Sequence, residues 1–278
     1  MHAVAVTRIR GLQRAAGGYR DAPHARDEAP REELVQALAE LTGRDAPDWR
    51  MRINQPLPWV VAMEPDAARA AALVVALRSR GLGAVACDMG DARAWAPRGR
   101  ATLVLGERGL GFLEDARELP YDAVRAAVFA TLDTETSHEE VEHITVSANP
   151  QNVRRTMPVS RYHRERSRTR ALFLVRGAGE ADLRLVQGSL RLQSLDSGRA
   201  PGGTTQVEIF RRACEALLER IPDAFRDERL LTARRGRSDF STNADGVTHT
   251  TSNLRETDLV AHLIGLAWIE GQIDPASA

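Results

Sequence analysis

Residues 131–175 read TLDTETSHEEVEHITVSANPQNVRRTMPVSRYHRERSRTRALFLV. Arg164, Arg166, Arg168 and Arg170 recur at every second position, and only an extended strand places all four on one face. Ahead of them, Asp133, Glu135, Glu139, Glu140 and Glu142 supply the opposite charge, with the turn-like NPQN at 149–152 between the two runs. Two charged segments of this length, separated by a polar turn, predict a protruding hairpin over 131–175 with opposite charges as cross-strand neighbours.

Three uses of such a hairpin are open. It can be a solvated, self-neutralising structural element. The arginine comb can follow a phosphate backbone, with Tyr162 as a stacking platform. It can also meet an acidic protein partner. The acidic strand in front of the comb favours the first use, and these five residues remain the candidate binding set.

HEEVEH at 138–143 resembles a zinc-protease helix but departs from it. That motif needs histidines four apart on one helix face, and here they are five apart. On a strand His138 and His143 would face opposite ways. No metal ligand set is expected.

Elsewhere the glycine-rich segments are not phosphate loops. GERGLGF at 106–112 lies between two strand-like runs and opens no helix. RAPGGTTQVE at 199–208 precedes a helix but lacks the Gly-Lys-Ser/Thr element. Nothing resembles G-x-S-x-G. His262 falls in an apolar helix beside Leu259, Leu263 and Leu266, a packing position rather than a catalytic one, and His249 lies in a hydroxyl-rich tail. No catalytic residue and no cofactor are expected.

The 278 residues contain 38 basic and 38 acidic side chains, with a formal net charge of zero. No global field therefore draws nucleic acid or anionic membrane. Every one of the 38 is arginine, a side chain suited to bidentate pairing with carboxylates. Cys87 and Cys214 are too few for a disulfide framework and read as buried thiols. The longest apolar run, AAALVVAL, is too short to span a bilayer, and the N-terminus has no signal-peptide apolar stretch. A cytoplasmic location is expected.

Element order gives an α+β fold. Residues 1–90 read strand, helix, strand, helix, strand, with a loop at 11–30, Gly43 and Gly81 as helix ends and Pro65 in a first helical turn. Residues 91–100 read as a linker and 101–232 as short strands followed by a helix, capped by Thr205 and Glu208 and buried through Val207, Phe210, Cys214, Leu217, Leu218 and Ile221. Residues 233–252 read as a flexible loop. A terminal helix occupies 253–272, capped by Asn253 and Glu256.

LAELTGRDAPDWRM, WVVAME and AVACD, with the intervening helix, resemble the layout of the C-terminal domain of the bacterial ribosomal stalk protein, a small docking fold. The lysines which that domain uses have no counterpart here, so no site residue is carried over. In the second half, strands closed by an amphipathic helix, together with the LPYDAV turn, resemble a pleckstrin-homology-like barrel with a C-terminal helix. Together the halves resemble an uncharacterised group of bacterial two-module proteins ending in P-x-A-F-x-D-x-R-L-L, here PDAFRDERLL at 222–231. The resemblance implies shape and no chemistry.

These readings lead to a non-enzymatic protein-binding or scaffold protein, docking a partner on the hairpin or a sheet edge. The rival is a nucleotide- or small-ligand-binding regulator, or an enzyme, with a site between the modules. Nucleic-acid binding through the arginine hairpin comes third. A protein partner is expected, and the oligomeric state is left open.

Overall fold

A computed structural model describes residues 1–9, 28–97, 99–147, 154–177, 181–192, 205–232, 239–242 and 248–273. The expected loop at 11–30 falls mostly outside these residues; its last three begin α1 (Glu28–Thr42).

β1 (His2–Ile9) is the middle strand of a three-stranded sheet, antiparallel to β2 (Trp59–Glu64) and β3 (Leu82–Asp88). α3 (Ala67–Ser79) connects the two outer strands, so β1 is inserted into a β-α-β crossover. β1 alternates weakly in sequence because both of its faces are covered. Val4 and Val6 lie under α1, α2 (Ala46–Arg52) and α3, while Ala3 and Ala5 enter a different core. Gly43 and Gly81, at φ 67° and 79°, follow α1 and α3 in the left-handed conformation that glycine tolerates. Pro65 precedes α3 instead of opening it, since Asp66 is the N-cap and its carboxylate accepts from Ala68 N at 2.7 Å.

The second half is built on two sheets. β4 (Ala101–Leu105), β5 (Gly109–Phe112) and β6 (Asp115–Pro120) form an antiparallel meander. A 3-10 turn at Tyr121–Ala123 leads into β7 (Ala126–Ser147), which pairs with β8 (Arg154–Val175) at 22 successive positions. The NPQN turn lies outside the described residues. β9 (Leu183–Val186) continues the second sheet beside β8, and β10 (Leu190–Leu192) returns to the first beside β4. The sheets do not close into a barrel: β6 and β10 end the first. Helix α4 (Gln206–Arg220) seals the core between them with Phe210, Cys214 and Leu217. Thr205 caps it through Glu208 N at 3.3 Å, but Val207 is 57% exposed, one position off the buried stripe.

PDAFRDERLL proves to be a packing unit. β11 (Phe225–Glu228) pairs in parallel with β7, and α5 (Arg229–Thr232) follows it. Phe225 stacks on Trp268 at 4.5 Å, and Asp227, fully buried, accepts from Arg229 N at 3.0 Å. Burial pushes the Asp227 carboxyl above its usual range, and the Arg229 guanidinium, 2.7 Å away, pulls against that shift.

The tail at 233–252, expected as a loop, contains β12 (Asp239–Thr242) and β13 (Thr248–Ser252), which extend the sheet from the edge of β7. Its Ser and Thr carry no apolar alternation, so the sequence gives no strand signal. The edge of β7 provides the ladder instead.

The final helix, α6 (Leu254–Ile269), is no trailing element. All nine residues from Leu259 to Ala267 are buried, as expected of a helix apolar on every side. It lies in one core with Ala3, Ala5 and Val85 of the first sheet and Val128, Phe173 and Val175 of the long strands. That core joins the two halves. No helix among the described residues is long and apolar enough to cross a membrane.

Candidate arginine arm

β7 is supported on its outer side by β11 and then by β13, which pairs with it as far as His138. Beyond that point, the described backbone of β7 and β8 runs on as a two-stranded arm from Glu139↔Tyr162 to Ser147↔Arg154. At about 3.3 Å per residue, nine residues carry it roughly 30 Å from the supported sheet.

The arginine comb sits at the root of this arm. Arg164, Arg166, Arg168 and Arg170 stand opposite Ser137, Glu135, Asp133 and Thr131, and all four are exposed. Tyr162 stands opposite Glu139, and its side chain lies outside the described residues.

The ion pairs do not follow the direct register. Arg166 reaches diagonally to Asp133, with Nε at 2.9 Å from Oδ1 and the second nitrogen at 2.5 Å from Oδ2. Arg164 reaches in the same sense to Glu135, at 3.1 Å. Diagonal neighbours on one face are within range of a side chain as long as arginine. The hydrogen-bonded Asp133 carboxylate holds the Arg166 guanidinium above its usual range.

The shift by one pair has a consequence at the base. The carboxylates that face Arg168 and Arg166 directly are engaged by Arg166 and Arg164. Among the described residues, neither Arg168 nor Arg170 makes an ion pair. The comb is thus half neutralised, with its two open guanidinium groups nearest the sheet.

The root is held by hydroxyl contacts to β13, including Thr136 Oγ1 to Thr250 Oγ1 at 3.4 Å and Ser137 Oγ donating to His249 O at 3.4 Å. His138 pairs across the ribbon with His163, and His143 with Pro158. Among the described residues, no group of three or more His, Cys, Asp or Glu side chains could hold a metal.

Behind the arm, α6 is pinned to the strand layer by polar contacts that sequence reasoning missed. Arg184 in β9 grips both oxygens of Asp258, at 2.5 and 2.7 Å. One turn later, His262 Nδ1 lies 2.7 Å from Asp182 Oδ2. The Asp258/His262 spacing of four was the available signal, since it puts both groups on one helix face. No protein-family model, curated protein or solved structure matches the chain.

Proposed function

We propose that this is a non-enzymatic protein-binding or scaffold protein whose partner presents carboxylates to the root of the β7–β8 arm. The observation that carries the reading is the half-neutralised comb. Arg168 and Arg170 are exposed and unmatched among the described residues, on a ribbon paired at 22 successive positions. An arginine fork is suited to bidentate carboxylate recognition. Asp133 and Glu135 interrupt the positive field, which suits a patterned acidic protein surface better than a uniform phosphate track. A small α/β unit followed by a pleckstrin-homology-like unit is part of the same reading, since both resemble interaction folds.

The test is affinity capture from nuclease-treated native lysate. Wild type is compared with a variant carrying Arg164→Ala, Arg166→Ala, Arg168→Ala and Arg170→Ala. A protein retained by wild type and lost by the folded variant is the expected result; equal retention by both removes the arm as the interface. In a parallel capture from untreated lysate, a partner that nuclease removes and whose retention falls steeply with salt would replace this reading by nucleic-acid binding.

A further inference from the structure

Beyond His138 the outer edge of β7 has no neighbouring strand among the described residues. The outer edge of β8 is last engaged at Arg170, whose carbonyl accepts from Gln187 N at 2.8 Å. A free edge is a row of unmatched N–H and C=O groups, ready to pair with another strand unless something blunts it. A two-stranded ribbon is also marginally stable by itself in water, and added strands stabilise it.

The two edges of the arm differ. Over 154–162 β8 reads RRTMPVSRY. Pro158 offers no N–H to a neighbour, and antiparallel self-pairing about it would set Arg155 opposite Arg161. Over 139–147 β7 reads EEVEHITVS, with no proline and no basic residue except His143, and its pairing with β8 is continuous. Its charges, Glu139, Glu140 and Glu142, are gathered at the root end, and the half towards the tip carries no carboxylate.

Those glutamates select a register. Residues opposite each other across a sheet share a face, so two copies of one strand related by a two-fold axis normal to the sheet must centre on a residue. Centring on Val141 sets Glu140 against Glu142, and centring on Glu142 sets it against itself. Like charges directly opposite are destabilising. Centring on His143 avoids both and uses the whole unsupported run: Glu139 meets Ser147, Glu140 meets Val146, Val141 meets Thr145 and Glu142 meets Ile144. A centre nearer the tip shortens the overlap. Register also places Ile144 and Val146 on the same ribbon face as Met157 and Val159, so the pairing joins two apolar patches on one side of a wider sheet.

We propose that the β7 edge of the arm docks a second copy of this chain, β7 antiparallel to β7, with His143 opposite His143 of the second copy in a four-stranded sheet. The same edge serves both copies, so the assembly closes as a dimer. The overlap lies beyond the arginine comb, so this pairing and the reading of the comb can fail separately.

The test is sedimentation of the full chain over about 1–100 μM, at about pH 8, where an ordinary imidazole is neutral. Wild type is expected to rise from the mass of one chain, 30.5 kDa, towards that of two. His143→Glu and His143→Lys each set like charges across the axis and should weaken association at least about threefold. An equimolar mixture of the two variants sets opposite charges there and should associate more tightly than either alone. A wild type that stays monomeric throughout, variants that associate as tightly as wild type, or a mixture no tighter than its components would overturn the proposal.

Discussion

His262 Nδ1 lies 2.7 Å from Asp182 Oδ2, and both side chains are 1% exposed. The other oxygen of Asp182 accepts from Arg176 N at 3.1 Å, so a single carboxylate ties α6 to the end of β8. Asp182→Ala leaves a buried donor on His262 and a half-buried one, Arg176 N, without their acceptor, at about 1–3 kcal/mol for a buried group. The expected loss is at least about 2 kcal/mol, read as a lower urea midpoint. An unchanged midpoint would mean that water or relaxation replaces the pair.

Gly265 faces Val175 so closely that an added Cβ would overlap that valine, whose own Cβ would be 2.6 Å away. In an exposed helix Gly→Ala would gain about 1 kcal/mol from helix propensity. Here overpacking against a fully buried strand outweighs that gain, and Gly265→Ala is expected to destabilise by about 2 kcal/mol or more. Thermal or chemical denaturation reads the sign directly, and stabilisation would contradict the close packing of α6 on β8.

Asn253, at the start of α6, has no side-chain capping bond. Its Oδ1 accepts from Asp133 N at 2.8 Å and its Nδ2 donates to Thr131 O at 3.2 Å. It fills the rung of β7 between Leu230 and β13. Serine is as good a helix cap as asparagine but too short for this bridge. Asn253→Ser and Asn253→Ala are therefore expected to cost about the same, roughly 1–3 kcal/mol. Rescue by serine would show capping to be the residue's role.

Burial pushes the Cys87 and Cys214 thiols up to about 12, from an ordinary value near 9. Both should resist a thiol reagent in native buffer at mildly alkaline pH and react once denaturant is added. A folded pKa above the unfolded one means that the native state holds its proton longer. This stabilising contribution is complete below the unfolded value and lost as pH rises from about 9 towards about 12. Native-state labelling of either thiol at an unchanged rate would contradict its burial.

The period-two arginine comb and the acidic run before it made the long ribbon legible, because no other regular structure aligns those charges. Capping and glycine signals placed α3 and α4 for equally local reasons. The place of α6 was not legible: a helix apolar on all sides announces burial without saying between what. β12 and β13 gave no signal, because Thr248 and Thr250 become strand residues through their pairing with β7, and Thr250 through β12 as well. Nor did charge order foretell the diagonal pairing of Arg166 with Asp133, which depends on side-chain reach.

The account turns on which half of the comb is open. The decisive measurement is quantitative capture with two double variants, Arg168→Ala with Arg170→Ala, and Arg164→Ala with Arg166→Ala. The unmatched pair should carry the interface, so the first variant should lose the wild-type partner by at least about tenfold while the second retains most of it. Equal losses, or a larger loss from Arg164 and Arg166, would contradict the assignment of the open guanidinium groups as the docking site.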